Sequence, residues 1–113
     1  MMVDAGSMRE RIVLQRPRTG RTGPGSSNVE WDDVGEVWAA IRGLSSRELL
    51  QAQQANLIAT HEVTIRFYAG IDGTWRAIWR DAKTGRDRPM EFAGDPLERK
   101  NRTLHVALCR EAK

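Results

Sequence analysis

Residues Glu36–Phe67 read EVWAAIRGLSSRELLQAQQANLIATHEVTIRF, and this stretch decides the fold. In Glu36–Leu44, Val37, Ala39 and Ile41 fall on one side of an extended chain, with Trp38, Ala40 and Arg42 on the other. In Thr60–Tyr68, Val63, Ile65 and Phe67 alternate with Glu62, Thr64, Arg66 and Tyr68. Alternation of period two marks strands with one face on a core. Between the two runs Ser45 is suited to cap a helix, and Glu48 three residues on completes a capping box. Such a cap contributes about 1 kcal/mol. Leu49, Ala52 and Ala55 then recur at three-residue spacing, a narrow apolar stripe that suits a helix lying on a sheet or across a barrel mouth. The unit is strand, capped helix over about 46–55, strand.

Upstream, Arg11–Arg16 (RIVLQR) alternates with Ile12 and Leu14 on one face, and Pro17 ends the run because it lacks the N–H a ladder would use. Residues 17–29 (PRTGRTGPGSSNV) carry three glycines, two prolines and no large apolar anchor besides Val29. That composition predicts a long flexible loop, either a bare hairpin tip or an arm that orders against a partner. Its only charges are Arg18 and Arg21. Running out and back, it reaches roughly 20 Å at about 3.3 Å per residue. Trp31 then leads into the long strand ending near Leu44, where Gly35 marks a bulge or bend. Because Trp38 lies opposite Val37, Ala39 and Ile41, both faces of this strand carry apolar bulk, and the second face calls for a helix or another subunit.

Downstream, Trp75, Ala77 and Trp79 alternate with Arg76, Ile78 and Arg80. Asp81–Asp87 reads as a turn with Gly85 at its tip, and a strand follows from about Arg88 to Ala93. Pro89 places that strand at an edge or delays its pairing. Asp95–Pro96 opens a charged connector, LERKNR, before a last strand Thr103–Arg110, which sets Leu104, Val106 and Leu108 against His105, Ala107 and Cys109. The tally predicts a mainly β fold: a small barrel or sandwich of six to seven short antiparallel strands, with one short α-helix inserted between strands.

The chain of 113 residues suits one compact domain. Its apolar and charged shares fit a globular protein, and no run approaches the roughly 20 apolar residues that cross a bilayer. Net charge is +3, and the segment Trp75–Arg102 carries all of it, with eight basic against five acidic residues. Proteins that hold duplex DNA by its phosphates carry a denser basic face.

Acid–base chemistry has little to build on. His61 and His105 lie in strands without metal-ligand spacing; His61 is expected to cap its strand or face solvent, and His105 to lie at a surface or interface. Cys109, the single cysteine, excludes an internal disulfide and reads as a small buried hydrophobe. Asp32 and Asp33 are adjacent on a strand and point to opposite faces. The sequence predicts no catalytic residue, no cofactor and no metal site.

The runs RIVLQRP (11–17), Trp31, VWAAIRGLSSREL (37–49), THEVTIRF (60–67), Gly70-Ile71 and LHVALCRE (104–111) together resemble the tailed-bacteriophage head–tail joining family, also called head-closure or head–tail adaptor proteins. The resemblance covers about 100 of the 113 residues in family order. It implies a structural virion neck protein that forms a ring of about twelve copies on the portal. Such a ring joins the DNA-filled head to the tail and acts in joining or in closing the channel. Its partners would be the portal, tail-side neck proteins and its own copies, with a monomer when free. Packaged DNA would pass without specific binding, and assembly would occur in the host cytoplasm. On this resemblance Arg18, Arg21, Trp38, Arg47, Gln51 and Gln54 are expected at partner or ring interfaces. Lys83, Arg86 and Arg88 are expected to face the channel or the next ring. Residues 1–8 are set apart as a native extension or expression scar, since Met8 is a natural family start. A solvated face is the other reading of the helix polar side. The alternative function is a free-standing barrel that binds single-stranded nucleic acid through the Trp75/Trp79 and Arg76/Arg80 strand, although alternation places those tryptophans on a core face.

Overall fold

The computed structural model describes residues 8–18 and 30–112. The greater part of the expected arm, with Arg21, lies outside the described residues. The elements are β1 (Glu10–Pro17), β2 (Trp31–Gly43), α1 (Ser46–Gln54), β3 (His61–Arg66), β4 (Arg76–Asp81), β5 (Arg86–Phe92), β6 (Leu97–Arg99) and β7 (Leu104–Glu111). The strands run in the order β3-β2-β1-β4-β5-β7, and a further β3–β7 pairing closes them into a six-stranded antiparallel barrel. Strand β6 is the seventh and pairs with the half of β7 that β5 leaves open. Closure removes the exposed edges that an open sheet of this size would present.

The barrel is filled by the residues whose alternation marked them. Ile12, Leu14, Ala39, Val63, Ile65, Ala77 and Met90 form its interior, with Val37 and Ile41 packed at the margin. Trp75, Ala107 and Cys109 complete it. The bulge expected at Gly35 is present. Leu14 pairs with Gly35 and Gln15 with Asp33, so Val34 is the extra residue. A Cβ on Gly35 would stand 2.9 Å from the Tyr68 hydroxyl, and glycine is what lets that ring close over the strand. Pro89 sits in mid-β5, where its carbonyl accepts from the Ala112 N–H (2.9 Å) just beyond the first β5–β7 pair, Met90–Glu111. The missing N–H thus falls where the β5–β7 ladder ends, so only that pairing is delayed; β5 is no edge strand and pairs with β4 from Arg86 onward.

Helix α1 has the caps its sequence announced. Glu48 N–H donates to Ser45 Oγ (3.3 Å), and Ser45 N–H donates to Glu48 Oε1 (3.0 Å). At the other end Asn56 takes a left-handed conformation (φ 59°), Asn56 N–H donates to the Gln53 carbonyl, and Leu57 N–H donates to the Ala52 carbonyl. This is a Schellman closure with asparagine where glycine is commoner.

Four expectations need correction. The LERKNR connector contains strand β6, turned back into β7 by three consecutive left-handed residues, Lys100, Asn101 and Arg102. On β7 the inward face is His105, Ala107 and Cys109, because pairing with Ile65, Val63 and His61 sets that register. His105 is therefore a buried residue and not a surface one. Of the helix stripe only Ala52 is buried; Leu49 is partly exposed and Ala55 lies in the exposed cap. Phe67, expected inward with Val63 and Ile65, lies past the end of β3 and stacks on His105 at the barrel rim.

Candidate interaction surfaces

The ionisable groups that could do chemistry are committed elsewhere. Cys109 is fully enclosed, and burial pushes its thiol up to about 12. His105 Nδ1 accepts the Tyr68 N–H (3.0 Å), which places the ring proton on Nε2. Burial holds its pKa below the usual value, opposed by Glu98. His61 is half-buried, shares a hydrogen bond with Thr60 Oγ1 (2.8 Å) and meets Trp79 edge-on. Among the described residues no group of three His, Cys, Asp or Glu is placed to hold a metal ion.

The Trp75–Arg80 strand is not an open stacking platform. Trp75 is in the core, and Trp79 is half-buried, donating to Glu10 Oε1 (2.9 Å) with the Arg88 guanidinium 4.1 Å above its ring. Arg76 lies over Trp31 (4.4 Å) and donates to Gln15 Oε1. Both Trp–Arg pairs are cation–π contacts within the subunit.

Trp38 remains open. It is 53% exposed on the outer face of β2, with Arg11 of β1 directly opposite in register and stacked on its ring (4.6 Å). Glu36 fixes Arg11 (2.6 Å) and also meets Arg80 (3.5 Å). Beside the indole lies a cleft of about 480 Å³ lined by Met8, Arg9, Trp38 and Arg66. Sequence reasoning singled out Trp38 and missed the arginines around it. Their proximity follows from strand register, which no local pattern encodes.

A second surface is α1. Arg47, Gln51 and Gln54 are exposed, as expected of its polar side. On the helix Leu50 (55%), and in the loop after it Ile58 (66%), are also exposed, and neither was foreseen. The helix is tied to the wall by Arg42, which donates two bonds to Glu48 (2.6 and 2.9 Å) and reaches Glu62 (3.1 Å). The Arg42 bonds, then the Ser45 N–H and hydroxyl, hold the Glu48 carboxyl down to about 2.

The remaining expected site residues separate by role. Arg18 stands at the base of the arm, where its N–H donates to the Glu30 carbonyl and its guanidinium pairs with Glu30 and Asp32. Lys83 and Arg86 lie exposed in and beside the β4–β5 turn. Arg88 is at the root of that hairpin. It holds Glu111 through two bonds (2.6 and 2.7 Å) and the buried Asp81 at 2.8 Å. Both carboxyls are held below their usual range, first by the Arg88 hydrogen bonds.

A capped helix, an open tryptophan and a polar hairpin thus stand out on the surface of a closed barrel. The sequence profile of the family described as phage head completion protein matches residues 3–86. The chain belongs to the phage head completion protein family. The match includes the Trp38 cleft, α1 and the β4–β5 turn, and agrees with the head–tail joining resemblance. The solution structure of protein SF1141 from Shigella flexneri 2a is similar, with 28% identity over 97% of each chain and a TM-score of 0.75. No curated protein matches the chain. As a head completion protein the chain has a structural role in closing the phage head and is a component of the virion. Among the described residues no helix is long and apolar enough to cross a membrane.

Proposed function

We propose that this head completion protein forms a ring between the portal and the tail, joining the DNA-filled head to the tail and closing the DNA channel. The observation that carries the reading is the pairing of family membership with α1, a helix held by caps and Arg42 that leaves Leu50 open, with Ile58 exposed in the loop just beyond its end. Exposed apolar side chains on and just beyond a rigidly capped helix suit a neighbouring subunit or portal segment. Arg47, Gln51 and Gln54 would form the polar rim of that contact, and Arg18 and Arg21 would carry the arm toward an adjacent component. Trp38 would meet a neighbour on the β2 wall. Lys83 and Arg86 would face the channel, with Arg88 fixing the hairpin that carries them. A modest positive lumen lets packaged DNA pass without the phosphate grip that would impede ejection. The ring would have about twelve copies to match the portal, and free subunits would be monomeric until the template orders them. The test is to mix the full chain with its cognate portal and image the product. Rings stacked on the portal are expected, and Leu50→Asp with Ile58→Asp should abolish them. A correctly assembled portal that stays bare would overturn the reading.

A further inference from the structure

We infer that the Trp38 cleft is the receptor for an acidic partner segment that inserts one apolar side chain beside the indole. The inference rests on the assembly role proposed above and names the chemistry of one contact. Met8, buried, provides an apolar wall, and Trp38 provides a second. Two arginines line it, Arg9 and Arg66 from the end of β3, and Arg11 of β1 lies over the indole beside them. Glu36 pins Arg11 against the ring, so the indole is held ready before anything binds. The cleft is an open groove of about 480 Å³, room for a large side chain laid against its walls rather than an enclosed ligand. An apolar interior with a cationic rim complements an apolar side chain flanked by carboxylates.

Nucleic acid fits less well. Stacking platforms offer open aromatic faces to successive bases, whereas here one face of a single indole is already covered by Arg11.

The test selects peptides on the immobilised full chain from a random short-peptide library, and then measures the selected peptides against wild type, Trp38→Ala and Arg66→Glu. Circular dichroism checks that both variants fold; Trp38 is exposed, so its truncation should leave the barrel intact. Enrichment of an apolar residue flanked by Asp or Glu is expected. Binding should weaken at least about tenfold in either variant and fall with salt. An empty selection, peptides without acidic residues, or binders indifferent to both variants would overturn the inference. So would an oligo-dT probe competing for the cleft, self-association of the free chain that Trp38→Ala abolishes, or a peptide site that appears only when residues 1–7 are removed. Those three results would assign the cleft to nucleic acid, to a second copy or to the chain's own N-terminal segment. Portal imaging of the wild-type chain is scored separately, so a bare portal removes the assembly reading while the peptide result stands on its own.

Discussion

Met90 on β5 has no exposed surface, while Leu50 on α1 has more than half of its own in solvent. The two residues are similar in size and hydrophobicity, and they sit in regions held by different forces. The barrel interior is a closed apolar packing of residues brought together from six strands, where each side chain is fixed by neighbours remote in sequence. Helix α1 buries little besides Ala52 and keeps its place through a capping box, a Schellman closure and the Arg42–Glu48–Glu62 link. Polar ties of this sort orient an element while leaving its apolar side chains uncovered. Stability is thus concentrated in the barrel, and recognition can be carried on a helix whose substitution leaves the barrel unchanged.

The contrast breaks first at the core. Met90→Ala should lower unfolding free energy by about 2–5 kcal/mol, since the enclosed site has little room to collapse. Urea denaturation measures it, and a loss no larger than that of an exposed helix substitution would contradict the division. Gly35→Ala comes next, at about 1–3 kcal/mol, because the new methyl must push the Tyr68 ring aside. The double variant with Tyr68→Phe should recover part of that loss, and a double variant no better than the single would locate the strain elsewhere.

The barrel rim also carries a pH dependence. His105 accepts the Tyr68 N–H, and burial lowers its pKa, so the unfolded chain binds the proton more readily than the folded one. The stability from this site is full above the unfolded value of about 6.5 and is lost as pH falls through the lower folded value. The urea midpoint of wild type should therefore drop between about pH 7 and pH 5, and His105→Gln should flatten part of the slope. His61, also shifted down by burial, accounts for a remainder of the same sign. An unchanged slope in His105→Gln would remove this assignment.

On the helix the effects become smaller and local. Ser45→Ala should cost about 1 kcal/mol, read as faster amide exchange over 46–54 with the barrel strands unaffected. Leu50→Asp should change global stability by no more than about 0.5 kcal/mol, while still preventing docking on the portal. A large loss of stability in that variant would show that the helix face is covered within the subunit.

The sequence by itself determined much of what short-range periodicity carries, though neither the helix stripe nor the inward face of β7. Period-two alternation located the β1, β2, β3 and β4 faces, Ser45 and Glu48 announced the cap, Gly35 the bulge, and Pro89 the end of a ladder. Each depends on residues within a few positions of one another, and backbone geometry converts such spacing directly into shape. Barrel closure decided the rest. Both faces of β7 are apolar enough to be the inner one, and only its pairing with β3 turned His105, Ala107 and Cys109 inward. The LERKNR run became a strand because β7 had an unpaired edge beside it. Met8, Trp38 and Arg66 became one cleft, and Arg88 a clamp on Asp81 and Glu111, through cross-strand neighbours far apart in the chain. Those neighbours are set by the summed packing of the whole barrel, which no single segment contains.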